Sequence, residues 1–500
     1  HGCRGMSPRC DIRALDHLRK MISANPPSPC RDGAISACTR LISDQFSAAL
    51  PPAAGTPVAD PGEAAACRRF EDWCGVEGVS TTLRVCEFEG TGRGTAALRD
   101  LAAGEVIVST PRALFINTEN LAESRFGHVF AKVAGLDETT CLILLAVMER
   151  AACATSKWKD YLESCPAWFG NGLQLTAEEM CELEGSPALD CLVQKREDLR
   201  ADYEALFPKL SEAFPEELPL EHCSWESFRW AAALVDTRAW ATEAGSAVSS
   251  LVPCCDMINH HPCAQGSVEG YNAEVGCARV RLLAPVKAGQ QVFVYYGNLS
   301  SASQLIRFGF CDMEHQEDSV PFELDQEGIT PLQQAALEKW RLRADTQQLL
   351  RKRRAGNSAN ENPQHNSIKR SAGNSAPSWR LLATLRILHL EGEGEDGEAL
   401  KLISEGTQDP SREVSERNEA AILATVQTLL EAMLAPYPTT LAVDRARLEG
   451  GGLTGGQRAC LTHVACMKEA RLLNPKFEMR NAKTRNPKYE TRNTKPETRN

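Results

Sequence analysis

Strand-like patterns in this 500-residue chain fall into two blocks, and the helical stretch between them limits the possible folds more than any other feature. The strand patterns cover Val85 to Phe88 and Glu105 to Ser109, then Ala278 to Leu283 and Gln291 to Tyr296. From about residue 118 to 235, apolar residues instead recur at helical spacing. We therefore predict an α+β domain at residues 76–315, in which a helical insertion splits the β region.

The rest of the chain divides by composition. Residues 1–75 are rich in Pro, Ala, Ser and Cys without a sustained period, which predicts a poorly ordered extension. Residues 320–475 are mostly helical and form a second, all-helical domain, with a disordered loop predicted at about 351–378. Residues 476–500 hold near-copies of a basic octet and predict a solvated low-complexity tail.

Charge and hydropathy exclude several function classes. A net charge of -11 argues against a surface that neutralises many phosphates, so no nucleic-acid partner is expected. No apolar run reaches the roughly 18 residues of a spanning helix, so no membrane partner is expected. The 20 cysteines are scattered through the chain and are interpreted as reduced thiols. We expect a cytoplasmic monomer, with plastid or nucleus as alternative compartments.

Two segments carry candidate chemistry. Thr91-Gly92-Arg93-Gly94 lies between two predicted strands, where glycine lets a ligand approach the backbone, although a plain turn explains such a segment more often than not. The run Cys254 to His261 is the densest in functional side chains. Contiguous residues cannot all point at one ion, so zinc is disfavoured and no metal is expected. A Cys–His nucleophile pair is also open but lacks a supporting signature.

The order of these segments along the chain provides the resemblance. GRGTAALRDLAAGEVIVSTP, a helical insertion containing KWKDYLESCPAWF, SLVPCCDMINHH, and then VKAGQQVFVYYGNLSSASQLIRFGF resemble the split SET domain of the RuBisCO large-subunit methyltransferase family. The later NEAAILATVQTLLEAMLAPYPTTLAVDRARL resembles that family's helical substrate-binding domain. The resemblance implies a split SET β-fold with a pseudo-knot, and a protein methyltransferase that uses S-adenosyl-L-methionine.

The resemblance also implies roles for individual residues. Tyr296 matches the family's catalytic tyrosine. The planar guanidinium of Arg238 would bind the cofactor's carboxylate through two parallel hydrogen bonds. The other implied cofactor-binding residues are Thr91, Gly92, Arg93, Asp256, Asn259, His260, Phe308, Gly309 and Phe310. The protein substrate would dock on the C-terminal helical domain.

The acceptor is predicted from two further positions. Members that methylate histidine carry Asn two residues after the cofactor arginine and Trp just before the aspartate, whereas this chain has Trp240 and Cys255. These two residues are predicted to bind substrate and favour lysine in a non-histone protein, with histidine as the alternative. The third hypothesis is a SET-fold binding protein that has lost catalysis. Phe308, where the family often has tyrosine, leaves the number of methyl groups open.

Overall fold

The computed structural model describes residues 35–38, 54–119, 121–133, 135–219, 221–222, 224–243, 248–297, 299–312, 319–321, 328–342, 367–371, 374–377 and 379–471. They divide into two compact units. Unit 1 extends to residue 177 and adds residues 190–299 and 303–310, while unit 2 holds residues 178–189, 300–302 and those from 311 onward. No helix of the described part of the chain is long and apolar enough to cross a membrane. The predicted tail at 476–500 lies outside the described residues.

The helices are α1 Pro61–Val76, α2 Gly127–Phe130, α3 Glu138–Ala151, α4 Lys159–Ser164, α5 Ala177–Met180, α6 Pro187–Ala213, α7 Trp225–Arg238, α8 Ser301–Ser303, α9 Pro331–Lys339, α10 Trp379–Leu388, α11 Gly394–Glu405, α12 Glu416–Leu434, α13 Leu441–Gly450 and α14 Gly455–Arg471. The strands are β1 Ser80–Thr81, β2 Leu83–Phe88, β3 Gly92–Ala97, β4 Val106–Pro111, β5 Trp240–Ala241, β6 Ser249–Ser250, β7 Asn259–His260, β8 Gly266–Asn272, β9 Cys277–Leu282, β10 Gln291–Val294, β11 Ser319–Pro321, β12 Ser367–Ser371 and β13 Asn374–Pro377.

The main sheet of unit 1 combines both predicted strand blocks. Its order is β1-β4-β9-β8-β10-β3-β2, and β7 pairs with β10 outside this path. Most neighbours are antiparallel, but β7 and β8 run parallel to β10. Because β10 bonds β3 on one side and β7 and β8 on the other, it brings the two ends of the split domain together.

Helix α1 corrects the prediction for the N-terminal extension, which is wrong for residues 61–75. The Asp60 side chain caps the helix by accepting the Glu63 N–H at 2.8 Å, and a proline occupies the first turn. One face buries Phe70 and Trp73 in the core of unit 1. Burying each such side chain contributes about 1.5–3 kcal/mol, which stabilises the helix against unit 1.

The helical insertion packs on the sheet through nearly all-apolar faces. Helix α3 begins at a capping Asp137 and buries every residue from Leu142 to Glu149. Glu149 is paired with Arg125 and Ser156, so its buried carboxylate is compensated. Helix α7 buries Phe228 and Trp230 and ends at Arg238. The insertion therefore places Arg238 at the edge of the core.

Unit 2 is mainly helical but also contains a small sheet. Strands β11, β12 and β13 pair antiparallel in that order. The prediction of a disordered loop at 351–378 is thus wrong for residues 367–371 and 374–377, because these residues pair their backbone groups in a hairpin. Residues 351–366 lie outside the described chain. Among the described residues of this unit, two ion pairs are buried, Arg386 with Glu419 and Lys468 with Asp444.

Candidate active site

The backbone of Thr91 to Gly94 forms one wall of the candidate site. The segment predicted as a turn becomes strand β3 from Gly92, whose φ of +65° favours glycine. Asn259 donates its side-chain amide to the carbonyls of Thr91 and Arg93 at 3.3 and 3.0 Å. A Cβ on Gly94 would lie 2.5 Å from Gln291 Nε2 and 2.8 Å from Asn259 Nδ2, so a larger residue would force these two side chains to shift.

Asn259 and His260 form β7, the short strand parallel to β10. Asn259 is in register with Phe293 and His260 with Val294. The main-chain N–H of Tyr296 donates to His260 Nδ1 at 3.0 Å. If the imidazole is neutral, its proton is therefore on Nε2. This bond ties the orientation of the histidine ring to the chain that carries Tyr296.

Arg238 and Asp256 meet at the next wall. Arg238 Nη1 donates to the main-chain carbonyl of Asp256 at 2.7 Å and lies 3.7 Å from its Oδ2 atom. The hydroxyl of Tyr161 donates to the same Oδ2 at 2.5 Å. Burial raises the pKa of Asp256 while the Arg238 charge opposes that rise. Neither Arg238 Nε nor Asp256 Oδ1 has a hydrogen-bond partner among the described residues.

Tyr296 lies just beyond the end of its strand. The strand predicted at Gln291 to Tyr296 ends at Val294, so strand alternation, which would turn Tyr295 and Tyr296 to opposite faces, does not extend to these two residues. The rings of both tyrosines lie beside the His260 ring, at centroid distances of 5.5 and 5.2 Å. The Tyr296 hydroxyl donates to the carbonyl of Ile258 at 2.8 Å. That bond fixes the Tyr296 side chain beside the segment that precedes Asn259.

Phe308, Gly309 and Phe310 complete an aromatic cluster. Phe308 lies 5.1 Å from Tyr296 and Phe310 lies 5.7 Å from His260 between ring centroids. Gly309 has a φ of +78°, and a Cβ there would lie 2.3 Å from the carbonyl oxygen of Gly170. The chain can therefore turn at this point only with glycine.

The two predicted substrate contacts are placed differently. Trp240 is half-buried on β5, which pairs with β6. Cys255 is buried, with its sulfur 3.7 Å from the Thr110 hydroxyl. Cys255 therefore packs into the core, and its contact with substrate stays a prediction.

The thiols near the site are not suited to nucleophilic chemistry. Burial raises the pKa of the Cys165 thiol to about 12, with Arg238 and Arg93 opposing the rise. Burial also raises the pKa of Cys255 well above its ordinary value. Thiols held in the neutral form are poor nucleophiles and poor metal ligands. No group of three possible metal ligands occurs within the described chain.

A cavity of about 370 Å³ opens beside Arg93. The Arg93 guanidinium crosses its wall, donating to the Ser164 carbonyl at 2.8 Å and to Glu63 at 2.5 Å. Cys165 also lines the cavity, whereas Asn259, His260 and Tyr296 do not. The cavity is therefore lined by residues of α1 and α4 and by Arg93 rather than by the aromatic cluster.

The sequence reasoning did not single out Tyr161, Gln291 or Glu63. Gln291 Oε1 accepts a hydrogen bond of 2.9 Å from the Thr91 hydroxyl, and the Glu63 carboxylate forms an ion pair with the Arg93 guanidinium. Asp60, Pro61 and Glu63 form a helix-start pattern that could have revealed α1. Tyr161 belongs to a segment that carried the resemblance, but no local pattern places its hydroxyl 95 residues away in sequence, on Asp256.

The fold is that of a split SET domain, with a second unit that is mainly helical. Residues 331–472 match the family model described as Rubisco LSMT substrate-binding. A solved structure of Rubisco LSMT bound to sinefungin and monomethyllysine superposes with a TM-score of 0.63 at 23% identity, covering 81% of this chain and 89% of that one. At this identity the superposition establishes the fold, and it confirms the predicted α+β split SET class.

Curated relatives agree with this assignment. SET domain-containing protein 4 of Mus musculus is 27% identical over 433 residues, which is 82% of this chain and 89% of that protein. Actin-histidine N-methyltransferase of Homo sapiens is 29% identical over 262 residues, which is 50% of this chain and 43% of that protein. The chain is therefore similar to LSMT-like SET-domain proteins over most of its length, which confirms the resemblance that its sequence predicted.

Proposed function

We propose that this protein is an S-adenosyl-L-methionine-dependent protein N-methyltransferase whose acceptor is a lysine side chain of a non-histone protein. The observation that carries the proposal is the convergence of separate segments on one site. Asn259 donates a hydrogen bond to the loop at Thr91, and the Tyr296 N–H donates one to His260. Arg238 donates to the main-chain carbonyl of Asp256, three residues before Asn259. A pure binding protein has no physical need for this set.

The residues present fit the proposed cofactor. Arg238 Nε and Asp256 Oδ1 are a buried donor and a buried acceptor without protein partners among the described residues. Such atoms cost free energy unless a ligand or water satisfies them. The carboxylate and ammonium of an amino acid would supply the matching acceptor and donor. Rubisco LSMT was solved with sinefungin, an analogue of S-adenosylmethionine, which supports the same assignment.

The residues that would hold the cofactor follow from this geometry. The Thr91 to Arg93 backbone, Arg238 and Asp256 would bind it, while His260 and the Phe308 to Phe310 segment would enclose it. When bound, the cofactor supplies an electrophilic methyl group on a sulfonium. In-line displacement then requires mainly that this chain align the acceptor and exclude water.

Tyr296 would orient the acceptor amine. Burial raises the pKa of its hydroxyl to about 12, so the group is neutral at physiological pH and serves as a hydrogen-bonding group rather than as a base. Because its proton is directed at the Ile258 carbonyl, an oxygen lone pair can accept an amine N–H. The amine must therefore enter already deprotonated, with its own lone pair free for the methyl carbon.

Trp240 now carries the preference for lysine, since Cys255 lies in the core. Trp240 occupies the position that predicted a lysine acceptor, and Rubisco LSMT was solved with monomethyllysine. Histidine is the second candidate acceptor, supported by the 29% identity to actin-histidine N-methyltransferase. Identification of the methylated amino acid in the hydrolysed product separates these two acceptors.

The substrate-binding family match at 331–472 implies a protein substrate. We further propose that the substrate docks on this helical unit, that the enzyme is a monomer, and that it works in the cytoplasm, with plastid and nucleus as alternatives. Sedimentation of the purified protein and imaging of a tagged chain test the last two points.

The central experiment incubates the protein with methyl-labelled S-adenosylmethionine and a protein extract, then hydrolyses the labelled product to amino acids. We expect methyl-lysine from the unmodified protein and at least a hundredfold less label from Tyr296→Phe. Methyl-histidine alone would replace lysine as the acceptor. Absence of label from the unmodified protein, across extracts from several sources, would favour the non-catalytic binding protein.

A further inference from the structure

Tyr161, on helix α4 of the insertion, reaches the candidate site from outside the segments that form it. The side chain is fully buried, and its ring lies 6.0 Å from the Phe70 ring of α1. Its hydroxyl donates to Asp256 Oδ2 at 2.5 Å, a length typical of a strong hydrogen bond to a carboxylate. Tyr161 is therefore the link between the helical insertion and the Asp256 carboxylate.

The geometry of Arg238 and Asp256 differs from that of an ordinary ion pair. An arginine beside a carboxylate usually forms two parallel hydrogen bonds. Here Arg238 Nη1 binds the main-chain carbonyl of Asp256 and remains 3.7 Å from Oδ2. Arg238 Nε and Asp256 Oδ1 both remain without partners in the described chain. Something must keep the two side chains from closing on each other.

We propose that Tyr161 is a positioning residue for the cofactor, whose hydroxyl holds the Asp256 carboxylate in the orientation that leaves Arg238 available to the cofactor's amino-acid part. Because Oδ2 is engaged by Tyr161, the carboxylate cannot rotate to take both N–H groups of the guanidinium. The unsatisfied Nε and Oδ1 are then retained for a carboxylate and an ammonium. This inference rests on the proposed cofactor.

Removal of the hydroxyl should let Asp256 pair directly with Arg238. The internal pair would then compete with the cofactor for the same donors. We expect binding of the adenosine part of the cofactor to be unaffected, since the hydrogen bond of the Tyr161 hydroxyl is to Asp256 and its ring contact is with Phe70. The prediction is thus a loss confined to one end of the ligand, which a general loosening of the fold would not produce.

The test compares two ligands with Tyr161→Phe, which keeps the ring against Phe70. Equilibrium binding is measured for S-adenosylhomocysteine and for 5′-methylthioadenosine, which lacks the amino-acid part. We expect S-adenosylhomocysteine to bind about tenfold more weakly or worse, in line with loss of a hydrogen bond to a charged group. Binding of 5′-methylthioadenosine should change by less than about twofold, because its contacts are not touched.

Kinetics give a second readout. With cofactor saturating, kcat of Tyr161→Phe should stay within about threefold of the unmodified protein, while the cofactor KM rises with Kd. The matched control is Tyr271→Phe. The Tyr271 ring lies on β8, where the Arg112 guanidinium packs over it at 4.4 Å from the ring centroid. Neither ligand should bind differently to that control.

Several outcomes would overturn the inference. Equal weakening of both ligands would make Tyr161 a purely structural residue, and unchanged binding of both would remove its role altogether. Should Tyr161→Phe fail to fold, Asp256→Asn supplies the same comparison, because it too should weaken S-adenosylhomocysteine selectively. If the unmodified protein binds neither ligand, the cofactor assignment itself fails and takes this inference with it, an outcome distinct from the others.

Discussion

Replacing Tyr296 with phenylalanine is the most direct test of the proposed chemistry. The change deletes one hydroxyl and its 2.8 Å hydrogen bond to the Ile258 carbonyl. The ring keeps its contacts with His260 and Phe308, at 5.2 and 5.1 Å between centroids. Loss of a neutral hydrogen bond lowers the free energy of unfolding by about 0.5–1.5 kcal/mol. The variant should therefore remain folded and able to bind cofactor.

The effect on catalysis should be larger than the effect on stability. If the hydroxyl orients the amine only as the transition state is approached, its loss lowers kcat and leaves Kd for the cofactor unchanged. Removal of one preorganised hydrogen-bonding group typically costs about a hundredfold, equivalent to about 2.7 kcal/mol of activation free energy. The experiment measures kcat with both substrates saturating and Kd by calorimetry with S-adenosylhomocysteine.

The companion variant is Tyr295→Phe, which removes the neighbouring hydroxyl. Both tyrosine rings lie beside His260, so both changes disturb the same cluster. Only Tyr296 donates to Ile258 within the described contacts, and we expect Tyr295→Phe to keep turnover within about threefold. Equal activity of Tyr296→Phe and the unmodified protein would refute the reasoning, as would an equal loss in both variants.

Three further predictions concern backbone strain, buried charge and pH. Gly309→Ala should lower the denaturant midpoint more than Gly90→Ala. Both glycines have a positive φ, so either substitution costs about 1–2 kcal/mol of backbone strain, but of the two only Gly309 lacks room for a Cβ. Equal losses would disprove the steric overlap at Gly309. Lys468→Met should destabilise the protein by about 3–5 kcal/mol in chemical denaturation because it leaves Asp444 charged and buried, and a change below about 1 kcal/mol would contradict this. Burial raises the pKa of Tyr296 to about 12, whereas the pKa of tyrosine in the unfolded chain is about 10. The neutral hydroxyl therefore contributes its full stability below about pH 10, and this contribution is lost as the pH rises through about 12. The tyrosinate absorbance of the unmodified protein minus that of its Phe variant should therefore appear only near pH 12, and a step near pH 10 would show an exposed hydroxyl.

The strand patterns were accurate where alternation was strong. Val85 to Phe88 corresponds to Leu83–Phe88, and Ala278 to Leu283 corresponds to Cys277–Leu282. The pattern failed at Tyr296, because two consecutive tyrosines continue a β-like sequence although the ladder has already ended at Val294. Strand ends depend on which partner is present, and the partners of β10 come from distant parts of the chain.

Helix α1 shows the opposite error. Its buried residues Ala66, Cys67, Phe70, Trp73 and Cys74 recur at helical spacing, but the composition of residues 1–75 taken as one segment predicted a loose extension. The helix is held by the burial of Phe70 and Trp73 against the rest of unit 1. The capping Asp60 and the following proline were a local helix-start signal, which a composition taken over all of residues 1–75 concealed.

Sequence by itself determined the SET class, the helical insertion, the second unit and the identity of the candidate site residues, because the motifs and their order are written along the chain. Only the tertiary structure decided which groups remain available for a ligand. It moved Cys255 into the core beside Thr110, and it placed the Tyr161 hydroxyl on Asp256. The physical reason is that a hydrogen bond between side chains 95 residues apart depends on how helices pack, whereas a motif depends only on neighbours in the chain.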